Sequence, residues 1–196
     1  ARACAVSPGT LRRAWMLLGD LGEAAVLARV EGEAGLARIR LRLGTAIRPM
    51  LAASAASPGD ALTVLGGPAS VEWKLDGARI QVHRDHADVA VFTRNLNDVT
   101  NRFPDLVALV RSLAAPSFVL DGEAIGRHDD DDRPLAFQHT ISDFSRDDHA
   151  GRATLVPYFF DCVHLDGDDL LDRPLTERLA ALAQAAPEHR VPTVAT

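Results

Sequence analysis

Lysine is almost absent from this sequence. Of its 21 basic residues, all but Lys74 are arginine. Where a cation need only be a cation, the chain uses arginine. Lysine differs in that it can lose its proton and become a nucleophile. Cysteine is scarce too: Cys4 and Cys162 follow no metal-ligand spacing, which predicts reduced thiols of a cytosolic protein. No apolar run reaches the length of a transmembrane helix. No apolar stretch followed by a small-residue cleavage site opens the chain, so no secretory leader is expected. There is no internal repeat.

What is present describes a soluble globular chain. Its 196 residues are 47% hydrophobic with mean hydropathy near zero, enough for one domain or pieces of two. The net charge of −6 is unusual for a partner of nucleic acid, but it is unevenly spread. Residues 1–48 carry eight arginines against four acids, and the remainder carries 13 basic against 23 acidic residues. The early basic excess suits phosphate contacts and suits an ordinary solvated surface equally well.

Ser7, Pro8 and the spacing of Leu11, Trp15 and Leu18 predict a helix over 8–18 that Gly19 ends. Asp20 with Glu23 predicts a capped second helix over 21–30, after which glycines 32 and 35 loosen the chain. Residues 52–60 read as a loop or a short, poorly specified helix. Strands are predicted over 71–75 and 78–84, joined at Asp76–Gly77, and over 88–94 after a turn at 85–88. Pro104 starts a helix with Leu106, Leu109, Val110 and Leu113 on one face, and 117–125 is a further strand. Residues 128–132 are an acidic loop, read as a solvated turn rather than a metal site, and 135–142 are a short helix. Residues 155–165 are an apolar strand expected to be buried on both faces. Thr176 is expected to cap a last helix, and residues from 191 begin something the chain does not complete. His83, His128, His139 and His164 lack metal-ligand spacing and read as structural or surface residues.

In a strand over 71–75, Glu72, Lys74 and Asp76 share one face and Val71, Trp73 and Leu75 the other. A half-buried strand with a solvated charged face would show the same alternation. The neighbours add more. Lys74–Leu75–Asp76–Gly77 with Arg79 spells Lys-x-Asp-Gly-x-Arg, with Gly77 expected to supply a positive φ at the turn. Phe92–Thr93–Arg94–Asn95, Asp121–Gly122–Glu123, and Phe160–Asp161 with Leu165–Asp166–Gly167 follow in order. Together these resemble the motifs of covalent nucleotidyltransferases, and of ATP-dependent DNA ligases in particular. Ile47 to Ala52 resembles the start of the ligase adenylation domain. Residues 1–46 more weakly resemble the end of the helical DNA-binding domain that precedes it.

The resemblance implies an α+β fold, mainly antiparallel sheets with flanking helices, after a short helical segment. It implies two units, 1–46 and 47–196. It implies that Lys74 takes AMP from ATP, with nearby positive charge from Arg79, Arg94 or Mg²⁺, and burial, lowering its pKa. Glu72 would accept from the adenine amino group, and Glu123 would bind the ribose or the metal. Phe160 would stack on the adenine, and Arg79 and Arg94 would hold ribose and phosphates. Asp76 would orient the lysine or the turn. The implied partners are ATP and nicked double-stranded DNA, with no membrane, for a cytoplasmic monomer. The family pattern continues with a Glu-Gly-x-x-x-Lys strand, a Lys-x-Lys strand and an OB-fold domain, none found in these residues. The expectation is therefore poor ATP binding, slow adenylation and no nick sealing by this stretch alone. A non-catalytic remnant, an RNA ligase and a capping-type nucleotidyltransferase are the alternatives.

Overall fold

A computed structural model describes residues 2–50, 52–127 and 154–195. The features expected at 128–132 and 135–142 lie outside the described residues. The helices are α1 (Pro8–Leu18), α2 (Leu21–Val30), α3 (Gly32–Ala37), α4 (Pro58–Leu65), α5 (Pro104–Ser112) and α6 (Leu175–Ala185). The strands are β1 (Ser70–Glu72), β2 (Ala78–Asp85), β3 (Asp88–Thr93), β4 (Ser117–Arg127), β5 (Thr154–Leu165), β6 (Asp168–Asp169) and β7 (Thr193–Ala195). One antiparallel sheet has the order β3-β2-β4-β5-β6, and β1 pairs with β7 in a second, two-stranded sheet. The class is α+β, as expected. No described helix is long and apolar enough to cross a membrane.

Strand alternation gives the five-stranded sheet two different faces. Ile80, Val82, Val91, Phe118, Leu120, Phe159 and Cys162 point to one side. There they meet Leu106 and Val110 of α5 and Leu182 and Ala185 of α6. Burial pushes the Cys162 thiol up to about 12, so it is an inert core residue. The opposite face is split. At one end Val119 packs with Leu17 of α1, Leu41 and Ile47, supported by Val163. The other end carries Arg79, Asp121 and Glu123, of which Arg79 and Asp121 line a cavity. The helical segment has its own small core of Val6, Ala14, Ala28 and Leu36.

The first two helices form as their sequence signals dictate. Ser7 accepts from Thr10 N–H and Asp20 from Glu23 N–H, and Gly19 closes α1 at φ 73°. Glycines 32 and 35 do not loosen the chain. Residues 32–37 form α3, which buries Leu36 in the helical core, and Gly35 is required there for space, since an added Cβ would collide with Glu31. Glu33 then ties α3 to α1 by accepting from Ser7 N–H and from the Thr10 hydroxyl. Within the 52–60 stretch, Ser57 caps α4 and Pro58 takes its first position. At α6 the cap position is Pro174, with no side-chain bond, so Thr176 sits inside the helix instead.

Three strand expectations are corrected. The first strand ends at Glu72, and it joins β7 rather than forming a hairpin with β2. The segment 191–195 therefore has a partner within the chain. Val71 and Trp73, read as one face of a longer strand, are 53% and 71% exposed. Gly77 does not adopt a positive φ. It is required for space: an added Cβ would strike the Ala124 carbonyl and Ile125. Finally, β5 is buried on one face only. Leu155, Phe159 and Cys162 face the core, while Phe160, Asp161 and Val163 are only partly covered. Register shifts opposite Val119/Leu120 and Asp121/Gly122 leave Phe160 and Val163 without direct partners on β4.

Candidate functional site

The open end of the sheet face is built from β2, β4 and β5 together. Arg79 lies opposite Glu123, and Asp121 lies opposite Asp161. Arg79 donates to both Asp121 oxygens, from Nε at 3.0 Å and Nη2 at 2.6 Å. Its guanidinium also lies 5.5 Å from the centre of the Phe160 ring. Asp161 accepts from Arg178 Nε of α6 at 2.8 Å. Two like-charged carboxylates side by side would repel, and the two arginines offset this. Burial still pushes the Asp121 carboxyl up. Arg79, Asp121, Phe160, Asp161 and Arg178 line a cavity of about 320 Å³, together with Ile47, Arg48, Pro49 and Met50.

The lysine loop lies beside Glu123 of β4. Gly77 N–H donates to Glu123 Oε1 at 3.1 Å, tying the turn after Lys74 to the middle strand. Burial pushes the Glu123 carboxyl up, against the pull of that bond and of the Lys74 charge. Glu72, on the exposed side of β1, is raised as well, chiefly by desolvation and further by the charge of Asp161. Lys74 itself is 85% exposed and is not part of the cavity wall. Its Nζ donates to Asp76 Oδ1 at 2.7 Å and to Leu75 O at 3.2 Å.

This arrangement reverses the expected electrostatics of the lysine. Arg79, Arg94 and burial were to lower its pKa, but the hydrogen bond to Asp76 holds it above its ordinary value. The reason is geometric. Arg79 is committed to Asp121, and residues 73–76 project toward solvent instead of continuing a strand. In this conformation Lys74 is an ammonium. Asp76 orients it, as the sequence suggested, but in the unreactive protonation state.

Arg94 is placed elsewhere. It shares a narrow cleft with Arg79, but its larger surroundings are a groove of about 940 Å³ between the helical segment and the sheet. That groove is lined by Arg12, Arg13, Arg48 and Arg94, with Trp15, Met50, Leu171 and Asp172 among its other walls. Arg13 is held by Asp172, at 2.9 and 2.7 Å. The Arg48 guanidinium lies 4.6 Å over the Trp15 ring. Arg48, Pro49 and Met50 wall both the groove and the cavity.

A family model described as ATP dependent DNA ligase domain matches residues 49–196. The chain belongs to that ligase family. Among curated relatives, a "Probable DNA ligase" of Rhodococcus jostii is 54% identical over 182 residues, covering 93% of this chain and 36% of the relative. A "Probable DNA ligase" of Saccharopolyspora erythraea is 50% identical over 197 residues, covering 100% of this chain and 38% of its own length. The chain thus spans little more than a third of these relatives. A solved structure, "mycobacterial DNA ligase D complexed with ATP and MES", aligns at 28% identity and TM-score 0.49, over 64% of this chain and 40% of that one.

Within this DNA ligase domain the structure places Arg79 beside Phe160 and opposite Glu123, with Lys74 coupled to Glu123 by charge and Glu72 coupled to Asp161 instead. The sequence reading missed the roles of Asp121 and Asp161, although both stand inside quoted motifs. It also missed Arg178 and Arg48. No local pattern marks Arg178, because its importance comes from α6 folding back onto β5.

Proposed function

We propose that this chain carries the nucleotide-accepting chemistry of an ATP-dependent DNA ligase. Lys74 Nζ loses its proton and attacks the α-phosphorus of ATP. A P–N bond forms as the bond to the bridging oxygen breaks, and pyrophosphate leaves with the electron pair. AMP then passes to the 5′-phosphate of nicked duplex DNA, and the 3′-hydroxyl displaces it. Phe160 and Glu72 hold the adenine, and Arg79 and Arg178 flank the cavity that takes the nucleotide. Glu123 keeps one oxygen without a described partner, which fits a ribose hydroxyl or Mg²⁺. Mg²⁺, when bound, neutralises phosphate charge. Arg12, Arg48 and Arg94 meet DNA phosphates along the groove.

The observation that carries this reading is the bond from Gly77 N–H to Glu123. It joins the Lys-x-Asp-Gly loop to the Asp-Gly-Glu strand in space. The test is incubation with α-labelled ATP and Mg²⁺ followed by a denaturing gel. Labelling should be weak near pH 7 and rise about tenfold per pH unit toward pH 9, because the hydrogen bond to Asp76 holds the amine above its ordinary pKa and leaves the reactive form a minor species throughout that range. Asp76→Asn should move that rise to lower pH, and Lys74→Arg should abolish it. A pH-independent band that survives Lys74→Arg would sink the reading.

A second reading is a module that binds nucleotide or DNA without catalysis. The exposure of Lys74 and its pairing with Asp76 favour it. It predicts no label at any pH, together with retained ATP binding.

A further inference from the structure

Two polar side chains are buried side by side on β2, facing the helical segment. Gln81 is 9% and His83 1% exposed. Gln81 Oε1 accepts from Ile47 N–H at 2.7 Å, and Gln81 Nε2 donates to Ile47 O at 3.2 Å. His83 Nδ1 accepts from Gly44 N–H at 3.1 Å. Nε2 therefore carries the ring proton and donates to Gln81 Oε1 at 2.9 Å. The network is closed, with β2 side chains satisfying the backbone at 44 and 47.

An apolar pair would fill this space beside the Leu17, Leu41, Ile47 and Val119 cluster. Buried polar groups contribute little net stability, but when satisfied they rigidify and specify one arrangement. The backbone they hold leads straight into Arg48, Pro49 and Met50, the wall shared by cavity and groove. Arg79 and Gln81, two residues apart on the same face of β2, both line the cavity, whereas His83 is not among its lining, so an effect of His83→Phe on ATP is read free of direct wall contact.

We propose that Gln81 and His83 are positioning residues that set the register of residues 44–50, and so couple the helical segment to ATP binding in the cavity. This rests on the ligase reading of that cavity. The test replaces them with apolar side chains, Gln81→Leu and His83→Phe, in the 196-residue chain. Should Gln81→Leu not fold, Gln81→Met carries the same test. The thermal midpoint should stay within about 3 °C of the parent. Amide exchange at Gly44 and Ile47 should rise about tenfold. The dissociation constant for ATP, measured by titration, should rise about tenfold. His83→Asn, which keeps an acceptor for Gly44 N–H, should restore most of both.

Unchanged ATP affinity in the apolar variants overturns the proposal. So does a loss of affinity that only tracks a falling midpoint, or an asparagine variant as impaired as phenylalanine. If the parent chain neither binds ATP nor takes the label, the ligase reading of the cavity fails and the coupling with it. Binding by the parent without an effect of the variants sinks the coupling alone.

Discussion

At the scale of single residues, one side chain and two glycines carry consequences that a denaturation experiment can read. Burial, with a smaller contribution from the charge of His164, lowers the His83 pKa from its ordinary 6.5 to about 4. The folded state thus binds a proton less readily than the unfolded one. The associated stability is fully present above pH 6.5 and is lost as pH falls toward 4, by up to about 3 kcal/mol. The urea midpoint of the parent should fall over that window relative to His83→Asn, which lacks the titrating ring. At Gly77 and Gly122 the constraint is space rather than dihedral angle. A Cβ on Gly122 would lie 2.6 Å from Tyr158 O, and one on Gly77 would strike the Ala124 carbonyl. Either alanine variant should lose about 1–3 kcal/mol in urea titration. An unchanged midpoint for Gly77→Ala would mean that the lysine loop does not lie against β4 as described.

At the scale of elements, α5 depends on a neighbour to end it. Its C-terminal carbonyls have no intrahelical donors. Arg84, from β2, holds the end of the helix and the chain leaving it: Nη1 donates to Val110 O of α5 at 3.4 Å, to the following Leu113 O at 2.6 Å and to Ala115 O at 3.0 Å, while Nε takes His86 O at 3.0 Å. Arg84→Met keeps much of the aliphatic stem and leaves these acceptors unpaired. It should cost about 2 kcal/mol, measured by chemical denaturation, because the lost bonds involve a charged donor. Elsewhere local signals sufficed. The Ser-Pro starts of α1 and α4 cap as their types require, and the β2–β3 turn closes in two residues with His86 at φ 55°. A cap states where a helix starts, not what it packs on, and α4 buries none of its residues.

At the scale of the whole molecule, the helical segment and the sheet share a core. Leu17 of α1, Leu41 and Ile47 pack on Val119 of the middle strand, and Arg13 pairs with Asp172 across the seam. The described parts should therefore unfold together. Far-ultraviolet dichroism and tryptophan fluorescence should give coincident transitions. Leu17→Ala should shift both by about 2–5 kcal/mol, since the side chain is 2% exposed. A separate early transition of the helices would show that the seam is weak. The seam matters beyond stability, because its loop 47–50 is the wall between the two cavities.

The sequence by itself determined the inventory and order of the chemistry. One lysine, its Asp-Gly turn, the Asp-Gly-Glu strand and the Phe-Asp strand were legible because each is a local pattern, and their order marks the ligase family. Strand alternation likewise set which side chains share a face. Tertiary structure decided the rest. The strand before Lys74 turns away from β2 because its partner, Thr193–Ala195, lies far along the chain. The lysine loop is consequently exposed, and Arg94 faces a groove that exists only where α1 meets the sheet. Arg48 and Arg178 acquire their places the same way. Local spacing specifies which groups a segment presents, but a cavity and the charge within it are sums over segments brought together by folding.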